Sequence, residues 1–359
     1  MEQAKQGTLD LDARMSEAIR RTAPGTALRH ALDMIIAGHL GAIICVGDSD
    51  AVLAAGNDGF PLNISFTANR LFELSKMDGA IVVDRELTQI LRANFHLNPD
   101  GSLPTSETGM RHRTAARMSL LTDAMVISVS ERRQVVSIYV GGRSHQLRSI
   151  PEVMTVANQL LVSMQATRQA IDRNLIRLTS IELDNHVVMS DIVKVFSLFE
   201  LLLYSDSALR GCIEELGREG RNVEMQRQGI VGDADEEYTL MIRDYAKDSS
   251  PEAARAIRER LANLAAKQAL SSSTVSRALG LEEYKEDTVV MPLGLRTLSR
   301  ISVVREGIAE RIVDEYGSLR ELMDDLKKSD SENPARVEDL GVNEPTILMD
   351  SLYRPWGKK

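Results

Sequence analysis

The chain has 359 residues, of which 43% are hydrophobic and 26% charged, so it suits two or three domains of roughly 150 residues and has the composition of a globular protein. Its two cysteines lie far apart in sequence, which excludes a disulfide framework and a cysteine zinc cluster and fits a reducing compartment. The formal net charge of −9 excludes a strongly basic, non-specific nucleic-acid binder, and apolar runs well short of the ~20 residues of a membrane span predict a cytoplasmic protein without membrane attachment.

Residues 1–150 combine helical and strand periodicities. Apolar residues between Leu28 and Leu40 recur at helical spacing, and the glycine-bounded apolar run 41–47 that follows predicts a buried strand. The same alternation of an apolar strand run with helical spacing recurs at residues 79–84, followed by Leu87, Ile90 and Leu91. Another apolar run covers residues 124–129, and a final strand is predicted at 134–140. The segment therefore predicts an α/β domain with a mixed sheet flanked by helices.

Residues 151–290 show a different pattern. There is no glycine from residue 152 to 210, and apolar residues recur three and four positions apart, which predicts long helices and an all-α middle domain. The acidic run Asp233–Glu237 lacks the glycine, the spacing and the terminal glutamate of a calcium-binding loop, so we expect a surface turn before a helix.

A third segment covers residues 291–359. Its apolar residues between Ile301 and Leu322 are interrupted by the turn residues Gly317 and Ser318. This pattern predicts two short helices joined by tight turns.

Residue types suited to chemistry occur in three patches of the first segment. Asp78 directly precedes a predicted buried strand, so its carboxylate would be held at a sheet edge, where it can bind a divalent cation or orient a hydroxyl. Gly79 has no side chain, and a ligand can approach its backbone closely. Asp-Gly is also common in turns, so this pair alone is weak evidence. The second patch is the predicted loop His96–Pro99.

The third patch is a hydroxyl-rich loop that we expect to lead into a helix starting near Arg113 or Thr114. N–H groups at a helix start, a threonine hydroxyl, and Arg111 and Arg113 on either side of His112 would make a polyphosphate cradle. The Arg-His-Arg run could also be only a solvated surface run. No P-loop sequence occurs, so a phosphate-handling protein must use another device.

Together the three patches resemble the diadenylate cyclase family, through the motifs Asp78–Ala80, His96–Asp100 and Ser106–Ala115. In length and domain order, the whole chain resembles members of this family that also bind DNA. The resemblance implies a diadenylate cyclase domain over residues 1–150, a helical linker or spine domain over residues 151–290 and a C-terminal helix-hairpin-helix domain over residues 291–359. It also implies a homo-octamer with face-to-face cyclase domains, and binding of branched, Holliday junction-like DNA that lowers cyclase output.

Roles of individual residues are implied by the same resemblance. Asp78 would bind the catalytic metal, Mg²⁺ or Mn²⁺, and help to activate a ribose 3′-hydroxyl. The implied substrate contacts are the main chain at Gly79, Leu97 at the adenine, Met110, Arg111, His112, Arg113 and Thr114 at the triphosphate, and Ser130 in the same pocket. Family members often have threonine at the position of Met110, so a hydroxyl contact would be missing here, although a backbone N–H contact would remain. His112 would either donate a hydrogen bond to a phosphate or order its loop.

The implied reaction joins two ATP molecules into cyclic di-AMP through two equivalent attacks of a 3′-hydroxyl on an α-phosphate, each expelling pyrophosphate. A two-fold symmetric pair of subunits, each holding one ATP, meets this requirement. Such transfers need in-line positioning and cations opposite the developing charge, which a metal on Asp78 together with Arg111 and Arg113 would supply. Two alternatives stay open: a non-catalytic DNA-binding scaffold with an ATP-sensing pocket, and an α/β oligomer with an unrelated anion ligand.

The C-terminal segment matches the family only in part. Tyr316–Leu319 has the aromatic-Gly-Ser-Leu pattern of the first hairpin. The second hairpin of the family reads roughly Val-x-Gly-Ile-Gly-x-x-Arg-Ala. In residues 337–345 of this chain, Asp339 replaces the first glycine and Glu344 replaces the arginine. Because such glycines expose backbone amides that bind DNA phosphates, we expect DNA binding that is weaker or differently located. A folded cap without a DNA role is the alternative.

Overall fold

The structure, a computed structural model, describes residues 2–184, 186–281, 287–305, 307–329, 335–342 and 344–353. The helices of the first part are α1 (Glu2–Arg21), α2 (Ala27–Ala37), α3 (Ser49–Ala54), α4 (Ala68–Leu74) and α5 (Met110–Leu121). The strands are β1 (Ala42–Val46), β2 (Gly56–Asn57), β3 (Phe60–Ser65), β4 (Ala80–Val83), β5 (Gln89–Leu97), β6 (Met125–Ser130), β7 (Val135–Val140) and β8 (Arg143–Gln146).

All eight strands belong to one mixed sheet. Its order is β2-β5-β4-β1-β6-β7-β8, and β3 also pairs with β5. Strands β1 and β4 run parallel, whereas the other pairs are antiparallel. The glycine-bounded run predicted as the first buried strand contains β1, and all five residues of this strand are buried.

Apolar cores lie on both faces of this sheet. In β1, Ile44 packs in one core with Leu32 of α2, whereas its neighbour Cys45 packs in the other with Met118 of α5. Successive side chains of a strand point to opposite faces, so a strand that is apolar throughout needs cover on both sides. The predicted α/β domain with a mixed sheet flanked by helices is confirmed.

Two local predictions in this part are wrong. After β4 the helix-strand rhythm does not continue, because the Asp84 carboxylate accepts hydrogen bonds from the N–H groups of Thr88 and Gln89 (2.8 and 2.9 Å) and closes a hairpin into β5. Ile90 and Leu91 are therefore strand residues. The loop predicted at His96–Pro99 begins later, because His96 and Leu97 still pair with β2 at the end of β5.

The remainder of the described chain is helical. Its helices are α6 (Ile150–Leu183), α7 (Met189–Leu216), α8 (Arg221–Val231), α9 (Ala234–Tyr245), α10 (Pro251–Ala265), α11 (Ser272–Ala278), α12 (Leu295–Leu298), α13 (Ile308–Tyr316), α14 (Leu319–Lys328) and α15 (Pro345–Tyr353). The long helices predicted from the glycine-free stretch are α6 and α7, and the two short helices of the third segment are α13 and α14, which Gly317 and Ser318 join.

The surface turn predicted at Asp233–Glu237 is wrong. Residues 234–237 form the first turn of α9, and Glu237 is buried at 3% exposure. Its carboxylate pairs with Arg168 at 3.1 Å and with Arg300, so cations from other helices accommodate an acidic side chain that would otherwise need solvent.

Residues of this chain pack into two compact units, one formed by residues 1–159 with 209–225 and the other by residues 160–208 with 226–359. The division into three domains at residues 150 and 290 rests on composition and motifs, and it stays a prediction. Among the described residues, no helix is both long enough and apolar enough to cross a membrane.

Within the second unit, a buried ionic cluster ties α12 to α6 and α9. Arg296 of α12 is 2% exposed and pairs with Glu182 at 2.6 Å. The Asp244 carboxylate accepts hydrogen bonds from the N–H groups of Gly294, Leu295 and Arg296. Removing residues from 291 onward would leave both carboxylates without these partners, and breaking a buried pair costs about 3–5 kcal/mol. Substitutions are therefore better tests of the C-terminal segment than truncation.

Candidate active site

A cavity of about 550 Å³ opens where the start of β4, the end of β5, the start of α5 and the end of β6 meet. The predicted site residues that line it are Asp78, Gly79, Leu97, Met110, Arg111, His112, Thr114 and Ser130. Arg113 is not among its lining residues, whereas His96, Glu131 and Arg132, to which the sequence analysis assigned no individual role, are. Three separate motifs of the sequence therefore meet at one cavity.

Asp78 and Gly79 are held by an irregularity between β4 and β5. Gly79 has φ +86°, and a Cβ there would lie 2.8 Å from the carbonyl carbon of Asn94. Asn94 also has a positive φ, of 53°, and its Nδ2 donates to the Asp78 carbonyl oxygen at 2.7 Å. A glycine is thus required here for backbone conformation and for packing against Asn94.

Asn94 was missed by sequence reasoning. Asparagine adopts the left-handed conformation more readily than most residues, and it is depleted in strands. An asparagine between the apolar residues Ala93 and Phe95 was the available signal for a bulge.

A divalent metal fits the Asp78 end of the cavity only together with a substrate. The described residues contain no group of three or more His, Cys, Asp or Glu side chains placed to hold a metal. The Asp78 side chain is exposed and lines the cavity. Magnesium is often bound by one or two carboxylates together with substrate phosphates and water, and a single accessible carboxylate beside a phosphate site agrees with that mode.

The N-terminus of α5 also lines the cavity. The helix begins at Met110, three residues before the predicted start, because Gly109 is its N-cap. Gly109 has no side chain with which to cap the helix, so the first N–H groups of α5 are left for another acceptor. A bare helix N-terminus favours an anion through these N–H groups and the helix dipole.

Arginines and Met110 surround this helix start. A Cβ at Gly41 would collide with the Arg111 guanidinium, so the missing side chain of Gly41 leaves room for Arg111 at the cavity. Met110 is 77% exposed, and its thioether offers no hydroxyl to a ligand. Ser130 ends β6, and its Oγ accepts from the Arg133 N–H at 3.3 Å, which helps to hold the turn that brings Glu131 and Arg132 to the cavity.

His112 is the buried member of the Arg-His-Arg run, at 7% exposure. Its Nδ1 lies 2.8 Å from the Tyr139 hydroxyl, which donates to the Glu107 carboxylate at 2.9 Å. Burial lowers the pKa of His112, Arg133 and Arg111 lower it further, and Glu107 acts in the opposite direction. The Nε2 of His112 is buried and has no hydrogen-bond partner among the described residues.

Comparison with known proteins identifies relatives of the whole chain. The family model described as DisA bacterial checkpoint controller nucleotide-binding matches residues 29–144, and the model described as DisA bacterial checkpoint controller linker region matches residues 147–288. A DNA integrity scanning protein DisA from Symbiobacterium thermophilum is 38% identical over 339 residues, covering 94% of this chain and 95% of the relative. The protein of the same name from Corynebacterium glutamicum is 37% identical over 353 residues, covering 97% of this chain and 95% of the relative. The one from Streptomyces coelicolor is 33% identical over 340 residues, covering 92% of this chain and 91% of the relative.

Proposed function

Because the chain belongs to the DisA family of diadenylate cyclases, we propose that its cavity binds one ATP and that two cavities, on protomers facing each other, join two ATP molecules into cyclic di-AMP with release of two pyrophosphates. The observation that carries this proposal is the meeting of Asp78 and the uncapped N-terminus of α5 at one cavity. Family membership favours the cyclase over the non-catalytic scaffold and over an unrelated anion ligand.

The triphosphate is proposed to lie at the start of α5. There the N–H groups of Met110, Arg111 and His112 and the guanidinium of Arg111 face an anion, with Thr114 one turn further along the helix. Donors placed in advance where charge develops stabilise the transition state of phosphoryl transfer. Arg113 is not assigned a phosphate contact within the same protomer, because it does not line the cavity. The predicted contact of Arg113 with a triphosphate remains only if Arg113 reaches the ATP of the facing protomer.

Asp78 is proposed to hold Mg²⁺ or Mn²⁺ in the same cavity. The metal would supply positive charge at the reacting phosphate and make the 3′-hydroxyl more acidic. Asp78 contributes an accessible carboxylate two residues before β4. Leu97, at 9% exposure, offers an apolar contact for the adenine, and the main chain at Gly79 borders the nucleotide.

Pairing of protomers follows from the stoichiometry. Each chain carries one set of these residues, while the product needs two adenylates with two equivalent bonds. A two-fold symmetric pair supplies both sites with a single kind of interface. The homo-octamer implied by the family, built from such pairs, is part of the proposal, as is a cytoplasmic location, where ATP and DNA are both present.

Analysis of the product tests this function most simply. The full chain incubated with ATP and Mg²⁺ or Mn²⁺ should form cyclic di-AMP and two pyrophosphates per product, identified by mass spectrometry. Accumulation of a linear dinucleotide would contradict the paired geometry, because it would mean that only one of the two attacks takes place. Absence of any dinucleotide with both metals would contradict the function itself.

A DNA role is proposed for the C-terminal turns. Gly307, with φ +76°, is the N-cap of α13 and makes no side-chain capping bond. Apart from its chain neighbours and its own helix, no described residue has an atom within 4 Å of a Cβ built on it, so a DNA backbone could approach the start of this helix. Arg305 is exposed two residues earlier. Cation and backbone contacts of this kind bind phosphates irrespective of sequence, which suits recognition of DNA shape.

The second hairpin supports the expectation of weak binding. Gly341 has φ +97°, so the turn keeps the second of the two family glycines. Asp339 has an ordinary φ of −65°, and an acidic side chain there places negative charge where phosphates would lie. We therefore locate the main DNA contact at the turn around Gly307.

Charge changes at the two turns should move junction binding in opposite directions. Arg305→Glu should weaken binding to a four-way junction about tenfold at moderate salt, because one phosphate contact is replaced by repulsion. The double variant Asp339→Gly/Glu344→Arg should strengthen it by about the same factor. Mobility shifts at one fixed salt concentration measure both, and Arg173→Glu, at an exposed arginine of α6, is the matched control. Equal binding by all four proteins would rule out a DNA contact at either turn.

A further inference from the structure

Glu107 and Tyr139 form a hydrogen-bonded chain behind His112. Glu107 lies in the loop before α5, and Tyr139 lies in β7 at 1% exposure. The Tyr139 hydroxyl is 2.9 Å from Glu107 Oε1 and 2.8 Å from His112 Nδ1. The rings of His112 and Tyr139 also meet edge to face, with centroids 6.2 Å apart. Neither Glu107 nor Tyr139 lines the cavity.

The number of protons shared by Glu107, Tyr139 and His112 determines which nitrogen of His112 carries a hydrogen. An ionised carboxylate only accepts hydrogen bonds, so Glu107 takes the single hydroxyl proton of Tyr139. The Tyr139 oxygen can then only accept from His112, and Nδ1 must carry the hydrogen. Nε2 is left without a partner among these three residues.

Nε2 of His112 has no such partner in the part of the protein that the structure describes. It is buried and forms no hydrogen bond among the described residues, while His112 lines the cavity. A buried polar atom without a partner costs about 1–3 kcal/mol. A ligand that pairs with Nε2 would recover this free energy.

We propose that Glu107 and Tyr139 are positioning residues for the cyclase reaction, which hold His112 with its Nε2 toward the triphosphate. This inference rests on the proposed function. To donate a hydrogen bond to a phosphate oxygen, Nε2 must gain a proton in addition to the one on Nδ1. Burial, Arg133 and Arg111 lower the pKa of His112 and Glu107 opposes them, so the negative charge of the triphosphate is needed to draw this second proton to the ring. The hydrogen bonds that link His112, Tyr139 and Glu107 thus fix the direction of the imidazole ring.

Tyr139→Phe tests this inference because it removes only the hydroxyl. It should raise KM for ATP about tenfold and change kcat less than about threefold, since a phosphate contact present in both ground and transition state affects binding. The dissociation constant of a non-hydrolysable ATP analogue should rise in parallel. Tyr238→Phe is the matched control, because Tyr238 is buried and donates to Glu200 at 2.6 Å in the helical region, and it should leave KM unchanged.

A double-mutant cycle separates positioning from a general structural effect. His112→Gln keeps a polar group near the position of Nε2 but does not need Tyr139 to orient it. In the His112→Gln background, Tyr139→Phe should therefore have no further effect on KM. Glu107→Gln keeps an acceptor for the Tyr139 hydroxyl and should retain more affinity for ATP than Glu107→Ala.

The outcomes distinguish this inference from the proposed function. A wild-type protein that makes no cyclic di-AMP contradicts the function. An active wild type with a folded Tyr139→Phe variant of unchanged KM contradicts the inference alone. Additive effects of Tyr139→Phe and His112→Gln, or equal effects of Glu107→Gln and Glu107→Ala, also contradict it.

Discussion

Asp78→Asn should lower the rate of cyclic di-AMP formation about a thousandfold or more, while the affinity for a non-hydrolysable ATP analogue changes less than about threefold. Asparagine has nearly the shape of aspartate but no charge, so it cannot hold a divalent metal as tightly or help to remove a proton from the 3′-hydroxyl. The triphosphate keeps its contacts at the start of α5, which do not involve the Asp78 side chain. Mass spectrometric quantification of product and calorimetric titration with the analogue measure the two effects.

Asp58→Asn is the control for this prediction. Asp58 lies in the turn between β2 and β3 with φ +60°, a conformation that asparagine tolerates, and it does not line the cavity. This variant should retain the wild-type rate. If Asp78→Asn stays fully active, the assignment of the metal to Asp78 is wrong, and if it loses ATP affinity to the same extent as rate, Asp78 acts mainly in binding.

Gly79→Ala should lower cyclase activity about a hundredfold. The new Cβ would lie 2.8 Å from the Asn94 carbonyl carbon and 3.0 Å from the Phe95 nitrogen, and φ +86° is a backbone conformation that alanine rarely adopts. Such strain costs about 1–3 kcal/mol, and the chain can relieve it only by moving the segment that carries Asp78. A shift of about 1 Å in a reacting group is enough for a hundredfold loss.

The matched control for this substitution is Gly101→Ala. Gly101 lies in the loop after β5, and a Cβ there meets nothing within 4 Å, so activity and thermal unfolding should stay at wild-type values. For Gly79→Ala, kcat should fall even at temperatures where circular dichroism shows a folded protein. An active, folded Gly79→Ala variant would show that the position of Asp78 does not depend on the contact with Asn94.

The class of the fold was predictable because the neighbouring strands β1 and β4 each follow a glycine and are continuously apolar. The run 41–47 contains a central strand with all residues buried, as expected for a sheet covered on both faces. The hairpin after β4 was not predictable from the spacing of Leu87, Ile90 and Leu91, because three residues cannot separate helical from strand periodicity. The Asp84 carboxylate, which closes that turn, was the informative residue.

The site was predictable where its motifs are local. Asp78, Arg111 and His112 line one cavity, and each belongs to a short motif. Arg113 does not line it, because successive residues of a helix point about 100° apart and the predicted helix start, three residues late, hid this rotation. Glu107 and Tyr139 were missed because they are 32 positions apart on different elements, and nothing in the sequence indicates that they meet.

A structure of the full chain with a non-hydrolysable ATP analogue and Mg²⁺ tests the central claim most directly. We predict that the phosphates lie at the start of α5 beside Arg111 and the Nε2 of His112, that the metal touches Asp78, and that the cavities of two protomers face each other with each ribose directed at the other nucleotide. An analogue bound away from Asp78 and α5, or bound there in protomers whose cavities do not face, would contradict it.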